Sequence, residues 1–166
     1  MAFFTGLLVA SALLCALVTG FVFTYAVIIM PGLKKLGDRE FIRAFQATDE
    51  IIQNKQPVFM IVWVGSIITV VGAMSVASTM PDFVVSWLVI VTGSVYLLGV
   101  QGLTIFIHLP LNKRIQQINV GEMDPKALYD QRMLFVDRWA RFNIVRAVIG
   151  CIVSASFIMA LSLDLP

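Results

Sequence analysis

Charged residues are scarce in this sequence, and their scarcity excludes most soluble folds. Only 13% of the 166 residues are charged and 59% are hydrophobic, whereas about a quarter of the residues in soluble domains are charged. The net charge of +2 is too small for a nucleic-acid-binding surface, and no basic patch rich in aromatic residues occurs. The composition therefore predicts an integral membrane protein of one domain, residues 1–166, with the lipid bilayer as its main partner and no nucleic acid.

Residues that bind metals and cofactors are also few. His108 is the one histidine, and neither a Cys-x-x-Cys motif nor a glycine-rich phosphate loop occurs. Cys15 and Cys151 lie in apolar segments, where packing alone explains them. One histidine cannot supply the three or four protein ligands of a zinc site. A haem would need only His108 as its axial ligand, but no other residue supports one, so no metal and no cofactor are predicted.

Four apolar segments are long enough to cross a bilayer, which takes about 20 residues in a helix. They cover approximately residues 3–30, 57–79, 83–109 and 142–163. Only Met80-Pro81-Asp82 separates the second from the third, so these two spans must be antiparallel. The predicted fold class is all-α, an integral membrane four-helix bundle.

Lysine and arginine occur only in the two polar stretches, 32–56 and 112–141, and at Arg146 just beyond the second stretch. Both stretches lie on the same side of the membrane if all four segments span it. Because cytoplasmic loops are enriched in lysine and arginine, the pattern predicts that both polar stretches are cytoplasmic. Both termini are then outside, in an inner or plasma membrane.

Each polar stretch also carries signals for a helix. Asp38 is a candidate N-cap for an amphipathic cytoplasmic helix between spans 1 and 2, with Phe45 on its apolar face and Asp49 on its polar face. Asp124-Pro125 is an N-cap followed by proline at the first helical position. No helix breaker follows before the fourth span, which predicts a long fourth helix extending into the cytoplasm.

Two rows of polar side chains reach the same depth at the cytoplasmic ends of spans 3 and 4. Trp139, Asn143 and Arg146 lie on one face of the fourth helix. His108 and Asn112 flank Pro110, which is expected to bend or end the third helix. An unsatisfied polar group in hydrocarbon costs several kcal/mol, so these side chains are expected to meet, either as a structural network around Arg146 or as a functional site. The candidate site residues are His108, Arg146, Asn143, Asn112, Trp139, Tyr25, Gln101 and Gln46.

Four segments, in order along the chain, resemble a known family. The segments are Gly20–Leu36, Asp38–Ile52, His108–Asn112 and Trp139–Arg146. Their most specific parts are Met30-Pro31-Gly32-Leu33, Pro110-Leu111-Asn112 and the Trp-x3-Asn-x2-Arg pattern. The sequence is similar in these parts to the anthrone oxygenase-like family of small four-helix membrane proteins. The resemblance implies oxidation of anthrones to anthraquinones without an organic cofactor.

The chemistry that the resemblance implies suits the polar residues. An anthrone has an acidic C–H group, and its loss gives an electron-rich, phenolate-like anion that reacts with O2. Such a reaction needs a base, and cationic or amide donors where negative charge develops. His108 is the candidate base, Arg146, Asn143 and Asn112 are the candidate donors, and Trp139 is the expected wall for an aromatic ligand. Tyr25, Gln101 and Gln46 are candidates for further ligand contacts.

Three functions remain open on the sequence alone. The first is a membrane oxidoreductase for a small apolar aromatic or quinol-like substrate, and the second is a non-enzymatic accessory subunit or scaffold in a homo-oligomer or larger complex. An enzyme needs a cavity of about 300 Å³ or more beside Arg146, whereas a scaffold fills that space and exposes a flat face of small residues. A transporter is less favoured, because four helices are few and no discontinuous helix pair is visible.

Overall fold

Five helices account for most of residues 2–164, the part of the chain that the computed structural model describes. The prediction of an all-helical bundle is confirmed. The amphipathic helix between spans 1 and 2 and the long last helix are both present. The helices are α1 (Ala2–Leu33), α2 (Asp38–Gln53), α3 (Pro57–Ala77), α4 (Phe83–Gln116) and α5 (Pro125–Asp164).

The helices α1, α3, α4 and α5 are each long and apolar enough to cross a membrane, which makes the chain an integral membrane protein. Large apolar side chains such as Leu98 and Phe106 are more than three-quarters exposed, as expected on a surface that faces lipid. Two of these helices, α4 and α5, extend beyond the apolar segments and carry basic residues. Residues 31–57 and 109–141 form one end of the bundle, the basic end.

The last helix, α5, is 40 residues long, or about 60 Å at 1.5 Å per residue. Its start is as predicted, because Asp124 Oδ1 accepts hydrogen bonds from the backbone N–H groups of Lys126 and Ala127 at 3.0 and 3.1 Å. The N-cap predicted at Asp38 is wrong. Gly37 caps α2, and the Asp38 carboxylate instead pairs with Arg132 of α5 at 2.8 Å.

Two clusters of buried apolar side chains stabilise the bundle. One fills the apolar half between α1, α3, α4 and α5. In this half Gly150 of α5 lies so close to Thr19 of α1 that an added Cβ would overlap its side chain. The other cluster lies at the basic end, where Phe41 and Phe45 of α2 pack against Phe135 of α5. The amphipathic helix α2 therefore packs across the basic end of the bundle and closes the space between the spanning helices at that end.

Helices α1 and α4 both contain π-helical turns at equal distances before a proline. These segments are Tyr25–Ile29 before Pro31 and Thr104–His108 before Pro110, and a third π-helical segment, Tyr96–Gly102, lies earlier in α4. Proline lacks an N–H and crowds the preceding turn, and a wider turn accommodates this without ending the helix. The expectation that α4 could end at Pro110 is accordingly wrong, since the helix continues to Gln116.

Helices α3 and α4 separate towards the basic end. They pack together over Phe83–Val95 of α4, and Ser66 Oγ lies 2.6 Å from the Tyr96 hydroxyl where this contact ends. Beyond Tyr96, α4 packs mainly against α5 and has few contacts with α3. The separation leaves a gap between the two spans in the half of the bundle nearer the basic end.

Candidate functional site

A cavity of about 300 Å³ occupies the gap between α3 and α4 and reaches α1, α2 and α5. Aromatic side chains from four helices contribute to its wall, namely Phe21, Tyr25, Phe45, Phe59, Trp63 and Trp139. Eight polar or charged residues also line it, namely Asp49, Gln53, Lys55, Gln101, Thr104, His108, Asn112 and Arg146. An aromatic space with a few convergent polar groups is typical of a small-molecule site.

Arg146 is the buried cation of this cavity, with only 4% of its surface exposed. Its Nη1 donates to Thr104 Oγ1 at 2.8 Å, and its Nη2 donates to Asn143 Oδ1 at 2.6 Å. A guanidinium has five N–H donors, and Nε has no partner within residues 2–164. The one ion pair in that range joins Arg132 and Asp38. Neutral oxygens alone therefore hold the guanidinium, and no carboxylate neutralises it.

Asn143, predicted as a catalytic donor, lies behind Arg146 and does not line the cavity. Its Nδ2 donates to the Val22 carbonyl of α1 at 2.9 Å, which leaves Oδ1 directed at the guanidinium. Trp139, Asn143 and Arg146 are all buried, as their shared helix face predicted. Asn143 thus positions the cation and has no open surface for a ligand.

His108 lines the cavity and is 2% exposed. Its Nδ1 lies 3.1 Å from the Leu103 carbonyl within the π-helical turn. Because a carbonyl only accepts, Nδ1 carries the proton, and Nε2 holds the lone pair of the neutral ring. Nε2 is buried without a partner among the described residues. The ring packs edge-to-face on Trp139 with centroids 5.2 Å apart. The geometry gives His108 an uncommitted basic nitrogen beside the cavity.

Asn112 links two other residues of the wall. Its Nδ2 donates to Asp49 Oδ1 at 2.7 Å, and its Oδ1 accepts from the Trp139 indole at 2.8 Å. Both ends of the amide are thus engaged, which fixes its orientation and holds the indole in place. The placement of Asp49 on a polar, solvated face is wrong. Asp49 is 2% exposed, because amides satisfy its carboxylate inside the structure.

The three remaining candidates differ in position. Gln101 and Tyr25 line the cavity; Gln101 donates to the Tyr96 hydroxyl at 2.9 Å, and Tyr25 packs 5.6 Å from Trp139. Gln46 does not line it. Its amide donates to two carbonyls at the end of α4, of Ile115 and Ile118, so it joins α2 to α4 and has no donor left for a ligand.

Sequence reasoning missed Asp49 as a lining residue and both aromatic residues of α3. Asp49 follows Phe45 by four residues and precedes Ile52 by three, so helical spacing already put it on the apolar face. Phe59 and Trp63 carry no such signal, because apolar residues surround α3 on every side. Their role depends on the separation of α3 from α4, which only the three-dimensional structure shows.

No three side chains of His, Cys, Asp or Glu come together as potential metal ligands within residues 2–164. Comparison with curated proteins and with solved structures finds no match. The sequence profile of the Anthrone oxygenase family, however, matches residues 49–156, more than half of the chain. The matched region begins at Asp49 and includes each of the eight polar or charged residues named above as lining the cavity. The chain therefore belongs to the anthrone oxygenase family.

Proposed function

We propose that this protein is a cofactor-independent oxygenase that oxidises an anthrone, or a similar small quinol-like aromatic, with O2. The observation that carries the proposal is the buried guanidinium of Arg146, which lines an aromatic cavity and has no carboxylate partner among residues 2–164. A buried cation held only by neutral oxygens attracts a ligand oxygen on which negative charge develops.

The reaction follows from the residues beside the cavity. His108 Nε2 takes the proton from the acidic C–H of the anthrone, and the carbonyl oxygen becomes an oxyanion next to Arg146. The resulting carbanion adds to O2 and, after protonation, gives a hydroperoxide. Loss of water from the hydroperoxide leaves the new ketone of the anthraquinone. One O2 is consumed and one water is released, and no metal or organic cofactor is needed in this scheme.

The scaffold alternative has less support. A scaffold would fill the space beside Arg146 with side chains, yet a cavity of about 300 Å³ lies there. The small residues of α3 also pack inside the bundle, since Ala73 and Ala77 are fully buried and Gly65 faces Leu14 of α1. They leave no flat small-residue face on α3 for another subunit.

A substrate of this kind dissolves in the bilayer, and the gap between α3 and α4 offers a lateral path from it. Ile105 and Leu109 of α4 line the cavity and are about half exposed on the outside of the bundle. We take the basic end to be cytoplasmic, by the enrichment of lysine and arginine there. The substrate then arrives from the cytoplasmic leaflet.

The proposal is tested by assaying anthrone oxidation in membranes containing the Arg146→Leu variant. Removing one donor to a developing oxyanion costs about 100-fold or more in turnover, so a loss of that size is expected. The control is Arg141→Leu, which removes an exposed arginine of the same helix and should retain turnover. Normal turnover of a well-expressed Arg146→Leu protein would rule out the proposed site.

A further inference from the structure

Arg146 and Asp49 are the two buried charged residues that line the cavity, and a third charged residue of its wall, Lys55, is exposed. Asp49 contacts Asn112 and Arg146 contacts Thr104. Thr104 and Asn112 are eight residues apart on α4, which corresponds to about 12 Å along a helix. The cavity therefore has a cation at one end and an anion at the other, separated by roughly the length of a small fused-ring aromatic.

The carboxylate of Asp49 is not fully used by the protein. Its Oδ2 accepts from Gln116 at 3.0 Å and from Gln53 at 3.1 Å, whereas its Oδ1 accepts only from Asn112. A carboxylate offers about four acceptor positions, two on each oxygen. One position on Oδ1 is thus left, on a residue that lines the cavity.

A purely structural role does not explain why this residue is charged. Gln46 and Gln116 already connect α2 to α4 through neutral amides, since Gln46 donates to Ile115 and Gln116 donates to the Gln46 carbonyl. Burying a carboxylate is costly unless its charge is compensated. No cation pairs with Asp49 in the described part of the chain. Three amide donors compensate this charge only in part, and the remaining acceptor position on Oδ1 is open to a donor on a ligand.

We infer that Asp49 Oδ1 accepts a hydrogen bond from a hydroxyl group of the ligand, at the end remote from the oxygen beside Arg146. The acceptor oxygen of the ligand then lies at Arg146 and its phenolic donor at Asp49. Asp49 is a specificity determinant that sets the orientation of the ring system in the cavity. The inference rests on the proposed function only in assigning the carbonyl end to Arg146.

Binding without turnover tests the inference separately from catalysis. The probes are anthraquinone and a monohydroxy derivative whose hydroxyl is on an outer ring, away from the carbonyls. Trp63 and Trp139 line the cavity and report binding by fluorescence quenching, whereas Trp87 lies outside it. The variants are Asp49→Asn and Asp49→Ser, and the control is Glu50→Gln, which removes an exposed charge from the same helix.

The test depends on the ratio of the dissociation constant of anthraquinone to that of its monohydroxy derivative. A general distortion of the cavity weakens the binding of both probes alike and leaves the ratio unchanged. Loss of one hydrogen bond weakens the binding of the hydroxylated probe alone and therefore changes the ratio. We expect the hydroxyl to tighten binding about tenfold or more in the wild type and in Glu50→Gln. Asp49→Ser should show little preference, and Asp49→Asn, whose amide oxygen still accepts but carries no charge, should show a smaller preference than the wild type.

The two proposals fail in different ways. A hydroxyl preference that persists undiminished in a folded Asp49 variant overturns the inference, and so does the absence of any preference or of any binding in the wild type. A preference that depends on Asp49, in a protein that does not oxidise anthrones, supports the inference and overturns the oxygenase. Loss of turnover in Arg146→Leu together with an unchanged hydroxyl preference in Asp49→Asn supports the oxygenase and overturns the inference about Asp49.

Discussion

Arg146 explains why the polar residues of this bundle lie together. A guanidinium inside a membrane protein needs partners, and Thr104 and Asn143 supply only two neutral oxygens. Asn143 in turn is held by the Val22 carbonyl. Such an arrangement keeps the side chain in one conformation but leaves its charge uncompensated, which is what binding an oxyanion requires.

The charge argument predicts that Asn143→Asp impairs activity and leaves stability nearly unchanged. A carboxylate at this position would pair with the Arg146 Nη2 and neutralise the cation that the oxyanion needs. Turnover should fall about 100-fold, while the new ion pair offsets the lost bond to Val22 and keeps the unfolding free energy within about 1 kcal/mol. Thermal unfolding and an anthrone assay measure the two effects. Full activity in this variant would show that the charge of Arg146 is not used.

At the scale of the helix, the π-helical turn Thr104–His108 sets the direction of the side chains that line the cavity. Within it, the Leu103 carbonyl is available to His108 Nδ1, and Thr104 faces Arg146. Pro110 follows two residues after this turn and removes one N–H from the helix. The side-chain positions of the site therefore depend on an irregularity of the backbone.

Pro110→Ala is expected to stabilise the helix and to impair the site. Replacing a proline inside a helix relieves up to about 3 kcal/mol, and a regular α-helix would rotate Thr104 and His108 away from their present positions. We expect a higher melting temperature together with at least tenfold lower turnover. The matched control is Pro31→Ala, which changes the equivalent turn of α1 and should have the smaller effect on turnover. Unchanged turnover in Pro110→Ala would contradict a role for the π-helical turn.

How much the sequence predicts depends on whether a residue's partners are local. The spans, the Asp124 cap and the buried face of Trp139, Asn143 and Arg146 follow from hydropathy and helical spacing alone. Gln46 and Asn143 were expected to touch a ligand, but carbonyls of distant helices engage them. The gap between α3 and α4 has no local cause, because it results from the packing of four helices at once.

At the scale of the whole molecule, the separation of α3 from α4 exposes the cavity to the lipid. Ile105 lines the cavity and is half exposed, whereas its neighbour Phe106 is 78% exposed and does not line it. On the proposed function, the ligand enters from the side of the bundle, and the basic end need not open.

Ile105→Trp is expected to obstruct this lateral path. A larger side chain at the mouth should raise the KM for a lipid-dissolved anthrone about tenfold and leave the melting temperature unchanged, since Ile105 is not in the core. Phe106→Trp is the matched control on the adjacent position and should behave like the wild type. The kinetics are measured in vesicles of fixed lipid composition. Equal KM values for the two variants would argue for a different route into the cavity.

The central claim, that Arg146 holds the anion of the substrate, is tested most directly by spectra recorded without oxygen. Anthrone added to the wild-type protein in the absence of O2 should show the long-wavelength absorption of its anion at a pH where free anthrone stays neutral. The same band should appear with Arg141→Leu and be absent with Arg146→Leu. An anion band of equal strength in Arg146→Leu, or none in the wild type, would contradict the account.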